Sequence, residues 1–556
     1  MRPSTTPRRF RPTALRRTTA GLLAAGLGLG ALVACSTDSA TATGTDEASA
    51  SSSSSSSADS GEATTDTATA AATATTGSTS VDDALAANLA YEEGDASYDA
   101  ASAVAITLEG DTASVDGEGV TVDGGTVTIT ASGTYVVSGE LTDGAIVVDS
   151  ADDGVVRIVL DGATLTSSTT SPLQVTDAGS VVVVLADGST NALTDAETYV
   201  YADGTDEPNA ALFSTADLTI AGTGALTVTS SSYDGITSKD GLVIAGGNIT
   251  VTAVDDSVRG KDYLVVLGGT LTMTSGGDGL KSDDTEDGTA GYIAVLDGTV
   301  DVTAGDDGVV AQTDTLVGGG EVTVSAVDDG VKGEAEVVLG GGTVTVTEST
   351  EGIEGATVTL AGAAVDVTSS DDGINAASDV VAEPWILVSA GSVLVNSDGD
   401  GIDANGAFTV TGGDVVVNGP TNDGNGALDV DGAFDVSGGT VVALGSAGMA
   451  MSPSSSAQGW ISASVSAAAG SSVVVTSASG EEVATFTATK QTASVVYSSS
   501  AVTSGESYTV TVDGGTSVTV TAGEAAAGGM GGGGGGGMGG GPGGGGQPPA
   551  GGGARP

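Results

Sequence analysis

The sequence lacks histidine, has one cysteine and contains few aromatic residues. Without histidine, and with Cys35 as the single thiol in 556 residues, the chain cannot form an internal disulfide and offers little to zinc or copper. Aromatic residues make up 3% of the chain, which is too few for an ordinary globular core. Valine, threonine, glycine and aspartate are abundant instead, and this composition favours strands and tight turns over helices.

Basic residues are also scarce. The chain has 14 Lys and Arg against 72 Asp and Glu, a formal net charge of −58. Six of the arginines and none of the acids precede Cys35, so a chain that begins at Cys35 carries a net charge of −64. Such a surface repels nucleic acid, because binding to that polyanion depends on clustered Lys and Arg. The same surface suits divalent cations.

Residues 1–35 have the features of a lipoprotein export signal. An arginine-rich start leads into AGLLAAGLGLGALVAC, which is too short and too rich in Gly and Ala for a membrane span. The segment LVAC at 32–35 resembles the bacterial lipobox, whose cysteine becomes the first mature residue and carries lipid. We therefore expect an exported protein, lipid-anchored through Cys35 to the outer face of the cell membrane. The alternative is a plain signal peptide with an incidental cysteine.

Two segments have compositions that cannot build a core. Residues 36–80 are Ser, Thr, Ala, Asp and Gly, and residues 523–556 are dominated by glycine. We predict a disordered tether at the first segment and a disordered tail at the second.

A turn motif recurs through the middle of the chain, as in AVDDSVRGK at 253–261 and AVDDGVKGE at 326–334. Successive motifs are 22, 22, 29, 22, 22, 21 and 28 residues apart. The acid of the acid-glycine step, with serine for glycine in one copy, falls at Asp234, Asp256, Asp278, Asp307, Asp329, Glu351, Asp372 and Asp400.

Short alternating runs such as NITVTA and EVTVSA separate the turns, and this alternation is typical of strands with one buried side. A repeat of this length with strands and no helix indicates a β-solenoid. We predict an all-β, right-handed parallel β-helix with about 22 residues per coil over 104–445. Residues 81–103 are a possible N-terminal cap, and 458–522 are predicted to form a small antiparallel β unit.

Stacked coils would bring the repeated acids into one column. Carboxylates ~4.8 Å apart repel by about 3.5 kcal/mol at an effective dielectric near 20, so the column needs neutralisation. Calcium accepts irregular shells of carboxylate and carbonyl oxygens. The alternative is that the Asp-Gly steps are only tight turns. The candidate calcium ligands are Asp278, Asp283, Asp284, Asp306, Asp307, Asp328, Asp329, Glu351, Asp371 and Asp372.

A few cations and two aromatic residues are candidates for contact with a glycan. Arg259, Lys281 and Lys332 lie three residues after a column acid, and Lys261 lies nearby. They are either salt-bridge partners or ligands for anionic groups. Both long spacings place a seven-residue insertion at the same edge of the solenoid. We expect these loops to wall a trough, with Tyr292 and Trp385 placed for stacking on sugar rings; the alternative is that both loops are neutral expansions.

The segments GTYVVSGELTDGAIVVD at 133–149 and NAALFSTADLTIAGTGALTVTSSSYDGITSKDGLVIAGGNITVTAVDDSVRGKD at 209–262 resemble the clostridial-type carbohydrate-binding β-helix family, which is similar to pectate lyases. The resemblance spans roughly 100–445. It implies calcium binding and affinity for cellulose and for acidic polysaccharides such as polygalacturonate. The chain departs from the family pattern at Thr237, where lysine is usual, and at Ser257 and Glu351 within two of the turns.

Three functions remain open. The first is a monomeric, non-catalytic, calcium-dependent protein that binds an acidic or cellulose-like polysaccharide at the cell surface. The second is a structural or adhesive repeat protein. The third is a calcium-dependent polysaccharide lyase, which needs a basic side chain beside a cation; Lys281 and Lys332 are the candidates.

Overall fold

A computed structural model describes residues 77–201, 204–378 and 381–526. The predicted lipobox with Cys35, the tether before residue 77 and the glycine tail after residue 526 lie outside the described residues. Within the described part, none of the helical structure is both long enough and apolar enough to span a membrane.

The described residues contain one helix, α1 (Val81–Ala87), and many short strands. The first group of strands is β1 (Val104–Gly110), β2 (Ala113–Asp116), β3 (Val120–Asp123), β4 (Thr126–Ile129), β5 (Gly133–Leu141), β6 (Ala145–Asp149), β7 (Val155–Thr166), β8 (Leu173–Asp177), β9 (Ser180–Leu185), β10 (Thr190–Thr194), β11 (Ala210–Ser214), β12 (Leu218–Gly222) and β13 (Ala225–Thr229).

The strands of the regular array are β14 (Asp234–Ser238), β15 (Gly241–Ile244), β16 (Asn248–Ala253), β17 (Val258–Gly260), β18 (Tyr263–Val266), β19 (Thr270–Ser275), β20 (Leu280–Ser282), β21 (Tyr292–Val295), β22 (Thr299–Thr303), β23 (Val309–Ala311), β24 (Asp314–Val317), β25 (Glu321–Ser325), β26 (Val331–Leu339), β27 (Thr343–Glu348), β28 (Ile353–Ser369), β29 (Ile374–Ala376), β30 (Trp385–Ser397), β31 (Ile402–Ala404), β32 (Ala407–Val410), β33 (Asp414–Asn418), β34 (Leu428–Val430), β35 (Phe434–Val436) and β36 (Thr440–Gly445).

The C-terminal strands are β37 (Ser455–Ser456), β38 (Trp460–Ala467), β39 (Ser472–Ser477), β40 (Glu482–Thr487), β41 (Thr492–Ser498), β42 (Ser507–Val512) and β43 (Thr516–Thr521).

The array winds into a parallel β-solenoid of about 13 turns with coils of about 24 residues, as the sequence predicts apart from the longer mean coil. Each coil contributes one strand to each of three faces. The ladder face contains β8, β11, β14, β17, β20, β23, the start of β26, the start of β28, β29, β31 and β34. The strap face contains β9, β12, β15, β18, β21, β24, the end of β26, the middle of β28, the start of β30, β32 and β35. The back face contains β10, β13, β16, β19, β22, β25, β27, the end of β28, the end of β30, β33 and β36.

The core is built from apolar side chains that stack between equivalent strands. On the back face, Ile249 pairs with Leu271, Leu271 pairs with Val300, and Val300 pairs with Val322; all four are buried. The intervening threonines point outward, which is why these runs alternate in the sequence. Most of the core is therefore aliphatic, and a few aromatics such as Phe408 and Phe434 complete it.

Antiparallel strands close both ends of the solenoid. At the N-terminal end, β1 pairs with β2 and β3 pairs with β4, so two hairpins cover the first coil. At the C-terminal end, β36 pairs antiparallel with β41, and β39, β40, β42 and β43 form a separate four-stranded antiparallel sheet. The predicted C-terminal antiparallel unit is confirmed, and its neighbour β41 covers the edge of β36 at the end of the back face.

Residues 77–97, which we name the strap, lie along the outside of the solenoid. Val81 and Ala84 of α1 are buried with Leu316 and Val338 of the strap face. The strap continues across several coils to Asp95, whose carbonyl accepts from the Arg157 side chain at 2.9 Å. The segment predicted as an N-terminal cap therefore covers the side of the solenoid rather than its first coil, because an apolar strip on the strap face needs cover.

Candidate functional site

The repeated acids form a ladder on one corner of the solenoid, which we name the acid ladder. The amide of Asp307 donates to Asp278 Oδ1 at 3.0 Å, and the amide of Asp329 donates to Asp307 Oδ1 at 2.9 Å. The same bond joins Asp400 to Asp372 at 2.6 Å. One oxygen of each such aspartate thus ties its coil to the next, which gives the recurring turn a structural reason.

The glycine after the ladder acid lets neighbouring coils approach closely. A Cβ on Gly279 would lie 2.3 Å from the Val302 side chain and 2.4 Å from the Gly308 carbonyl oxygen. Glycine avoids both clashes, since it has no side chain. The Asp-Gly pair is therefore fixed by the stacking of the coils as well as by any ligand.

A second column runs beside the ladder, three residues after each ladder acid, and its side chains point away from the core. We name it the outer column. Backbone pairing places Arg259 beside Lys281 and Glu354 beside both Lys332 and Asn375. The outer column consists of Thr237, Arg259, Lys281, Val310, Lys332, Glu354, Asn375, Asp403 and Asp429.

The predicted cations neutralise the first part of the ladder. Lys281 Nζ lies 3.1 Å from Asp256 Oδ2 and 2.8 Å from Asp278 Oδ2. Lys332 Nζ lies 2.8 Å from Asp329 Oδ2 and 3.1 Å from Glu354 Oε2. Burial lowers the pKa of each lysine, but the hydrogen bonds and charges of these carboxylates outweigh it and raise the pKa above its ordinary value. Both amines are therefore held protonated.

Two predicted metal ligands are also held by cations of the chain. Asp283 forms a salt bridge with Arg259. Asp284 Oδ2 lies 2.8 Å from Lys261 Nζ, and its Oδ1 accepts the amides of Glu286 and Asp287. Burial opposes ionisation of Asp284, yet these bonds lower its pKa. Three of the five acids in the run 278–287, namely Asp278, Asp283 and Asp284, thus have cation partners within the protein.

Four groups of three acids bring their carboxylate oxygens within 4.8 Å of one another among the described residues: Asp234, Asp255 and Asp256; Asp306, Asp307 and Asp328; Asp329, Glu351 and Glu354; Asp372, Asp400 and Asp403. Salt bridges reach the first group through Arg259 and Lys281 and the third through Lys332. Neither the second group nor the fourth group forms a salt bridge within the part of the chain that the structure describes.

The fourth group, which we name the terminal cluster, has three half-buried acids, whereas two of the three acids in the second group are exposed. Burial raises the pKa of Asp372 and of Asp403 to about 7, and their mutual repulsion with Asp400 acts in the same direction. Burial likewise raises the pKa of Asp400. The three carboxyl groups therefore resist being ionised together unless a cation joins them.

A neighbouring carboxamide adds an unpaired oxygen beside the terminal cluster. Asn375 is 8% exposed, and its Nδ2 donates to Glu351 Oε2 at 2.9 Å. The pairing of β29 with β31 places Asn375 directly beside Asp403 on the next coil. Asn375 Oδ1 has no hydrogen-bond partner among the described residues. A buried acceptor without a donor is unfavourable, and a cation would satisfy it.

The structure assembles part of the predicted metal set and adds members that the prediction omitted. Asp306, Asp307 and Asp328 come together as one group, Asp329 and Glu351 belong to another, and Asp371 is exposed outside the terminal cluster. Glu354, Asn375, Asp400 and Asp403 are absent from the predicted ligands. The signal for three of them was present, since each lies three residues after a ladder acid, where the cations also lie.

The predicted stacking role of Tyr292 is wrong. Its side chain is 0% exposed beneath the strap, and its hydroxyl donates to the Leu89 carbonyl at 2.8 Å. Trp385 lies on the same strap face, is half-buried and sits against Gly77. The two insertions do leave the same corner, after β20 and after β29, but their aromatic residues turn to the strap face rather than to the ladder.

Comparison with known proteins identifies what the chain is similar to. A family model described as "Carbohydrate-binding domain-containing protein" matches residues 123–380 and 315–529. A protein of the same description from Acetivibrio thermocellus is 39% identical over 150 residues, which are 27% of this chain and 52% of that protein. The match thus spans about half the length of that relative. A solved structure entitled "Structure of the polysaccharide lyase-like protein from C. thermocellum, Gadolinium derivative" is 31% identical over 48% of this chain and 94% of its own, with a TM-score of 0.38.

Proposed function

Because the chain belongs to the family of carbohydrate-binding domain-containing proteins, we propose that it is a non-catalytic, calcium-dependent polysaccharide-binding protein of the cell surface. The observation that carries the calcium dependence is the terminal cluster, whose carboxylates face one another without a cation from the described chain.

The terminal cluster fits calcium by the chemistry of its donors. Asp372, Asp400 and Asp403 offer carboxylate oxygens, and Asn375 offers a carboxamide oxygen that has no other partner in the described structure. Calcium takes six to eight oxygen ligands of these kinds and tolerates irregular geometry. A bound calcium ion would supply positive charge at the ladder face and leave ligand positions for a glycan.

The charge of the ladder face supports an acidic polysaccharide as the ligand. An acidic surface repels a chain of carboxylates, so a uronate polymer can approach only where cations intervene. A divalent ion held by the terminal cluster would join protein and glycan carboxylates. Exposed aromatic residues are few, which disfavours a broad flat platform for crystalline cellulose.

The two candidate bases argue against the lyase alternative. A lyase base must be free to take a proton from carbon beside a uronate carboxylate. Lys281 and Lys332 are each engaged by two carboxylates, and their raised pKa keeps them protonated at neutral pH. These residues serve better as internal counter-ions than as bases.

Attachment to the outer face of the membrane is part of the proposal and depends on the lipobox at 32–35. Metabolic labelling with a fatty-acid analogue tests it. We expect label on the wild-type chain and none on Cys35→Ser; label on both variants would exclude Cys35 as the attachment site.

Binding to a polysaccharide array tests the function. The full chain is applied with calcium and then with a chelator, while absorbance at 235 nm reports unsaturated products. We expect retention on uronate polymers that is lost in chelator, without a rise in absorbance. A rising absorbance would make the protein a lyase. No retention in either buffer would leave the solenoid as a structural repeat protein.

A further inference from the structure

A cleft lies on the ladder face, on the N-terminal side of the acid ladder. It has a volume of about 370 Å³ and opens between strands β8 and β11 and the loop at 204–208. The side chains that line it include Gln174, Thr176, Phe213, Thr215, Asp206 and Glu207. This volume is at the lower end of the range for small-molecule sites, which suits one or two sugar rings.

The cleft continues the outer column. Gln174 pairs with Phe213, and Phe213 pairs with Thr237, which is the first residue of that column. Successive strands are ~4.8 Å apart, so the cleft lies one coil beyond the acid ladder on the same line. If a glycan lies along the outer column and extends towards the N-terminal coils, its end lies at the cleft.

The loop over the cleft is held in place by a buried network. Tyr199 donates to Asp195 Oδ2 at 2.9 Å and to the Ala210 carbonyl at 3.1 Å. Asp195 also accepts from Ser230 at 2.7 Å. Tyr201 packs on Tyr199 with ring centres 5.9 Å apart and donates to the Pro208 carbonyl at 3.2 Å. The cleft is therefore formed before any ligand arrives.

The polar groups of the cleft are suited to hydroxyl groups. The half-buried side chain of Gln174 forms no hydrogen bond within the described ranges, so its amide can both donate and accept. Thr176 and Thr215 donate to the carbonyls of Val148 and Val175, which leaves their hydroxyl oxygens able to accept. The buried ring of Phe213 also lines the cleft and adds an apolar surface.

The charges at the rim exclude an anionic sugar. Asp206 and Glu207 line the cleft, and the nearby cation Lys239 is already 3.0 Å from Glu207. A uronate carboxylate would meet two acids and no unengaged cation of the described chain. We propose that the cleft binds a neutral sugar unit, at the end of a glycan or in its backbone, by contacts that do not need calcium. The inference rests on the proposed function, since it adds a second subsite to the same glycan-binding face.

Titration of the full chain in chelator tests the cleft. Cellobiose is the neutral probe and digalacturonate the acidic one, with binding followed by calorimetry. We expect cellobiose to bind with a Kd of about 1 mM and digalacturonate not to bind. Gln174→Ala and the near-isosteric Gln174→Glu should each weaken cellobiose binding about tenfold, whereas the exposed Gln312→Ala should not change it.

The outcomes separate the cleft from the calcium site. If cellobiose does not bind while calcium-dependent retention on polygalacturonate is intact, the proposed role of the cleft is overturned and the proposed function stands. Cellobiose binding that is unchanged in both Gln174 variants, or a preference for digalacturonate, would also overturn it. Loss of both activities in the wild-type chain would reject the proposed function itself.

Discussion

One position of the coil, three residues after the ladder acid, changes its charge along the solenoid. It is Arg259, Lys281 and Lys332 in the earlier coils and Asp403 in a later one. Where the residue is a cation, it neutralises the ladder from within the protein. Where it is an acid, it adds negative charge. Glu354 shares Lys332 with Asp329, whereas Asp403 joins its cluster without a salt bridge among the described residues. A single outward position thus changes whether a coil supplies its own counter-ion.

Loss of Asp403 should weaken calcium binding. Asp403→Asn removes one negative ligand from the terminal cluster and keeps the side-chain size, so calcium affinity should fall on the order of tenfold. Asp366→Asn makes the same change at an exposed site on the back face and should leave the affinity unchanged. Calorimetric titration of calcium measures both. Equal affinities for the two variants would remove Asp403 from the site.

Loss of Lys332 should make a coil depend on calcium. Lys332→Met leaves Asp329 and Glu354 without their cation, and we expect a loss of about 2 kcal/mol in the free energy of unfolding in chelator. Added calcium should restore part of this loss, because Asp329, Glu351 and Glu354 lie close together. Denaturant unfolding with and without calcium is the measurement. A loss that calcium does not reduce would show that lysine and calcium are not interchangeable there.

Some of the site residues could be predicted from sequence and others could not. The ladder acids follow the repeat, so Asp307 and Asp372 were identified by spacing alone. Asp403 could have been predicted from the same repeat, because it lies three residues after the ladder acid Asp400. The burial of Tyr292 could not be predicted, since it depends on Leu89, 203 residues away along the chain.

The strands and the strap also differ in how well the sequence predicts them. The strands of the back face can be predicted from the sequence, because valines and threonines alternate in them at a constant period. The strap has no repeat partner and no period, and the contacts that dock it on the solenoid join residues that are distant in sequence. Its helix α1 has an ordinary N-cap, in which the Ser80 hydroxyl accepts a hydrogen bond from the Asp83 amide at 3.2 Å. The cap marks where the helix begins but does not predict where the helix packs on the solenoid.

Two carboxyl groups under the strap should make its docking depend on pH. Asp314 lies beside Glu336 in the pairing of β24 and β26, and it accepts from Asn88 Nδ2 at 2.8 Å. Ser78 donates its amide to Glu336. Burial raises the pKa of Asp314 to about 7, and the charge of Glu336 adds to this effect.

The sign of the pH effect follows from the raised pKa. Asp314 has an unfolded pKa near 3.9, so the folded state binds its proton more tightly. The resulting stability is present below the unfolded value and is lost as pH rises through about 7. Asp314→Asn should therefore raise the melting temperature at pH 8 by a few degrees relative to wild type, with little gain at pH 4.

Calorimetric melts at the two pH values check this prediction. The exposed Asp366→Asn serves as the control and should melt as wild type at both. A gain for Asp314→Asn that is the same at pH 4 and pH 8 would show that ionisation beneath the strap is not responsible.

At the scale of the whole molecule, the solenoid arranges weak local features into one long surface. The parallel pairing sets the acid ladder, the outer column and the cleft in line on the ladder face. Cations of the chain pair with Asp256, Asp278 and Asp329 along this line. The terminal cluster lacks such a cation among the described residues, and the cleft lies beyond the other end. This order suits a linear polymer that binds through calcium and through neutral contacts at separate places.

The most direct test of the account is the affinity of the full chain for polygalacturonate oligomers, measured by calorimetry at fixed pH with calcium and then with a chelator. We predict binding in calcium, its loss in chelator, and weaker binding by Asp403→Asn than by Asp366→Asn. Equal binding with and without calcium would contradict the central claim that calcium joins the acid ladder to the glycan.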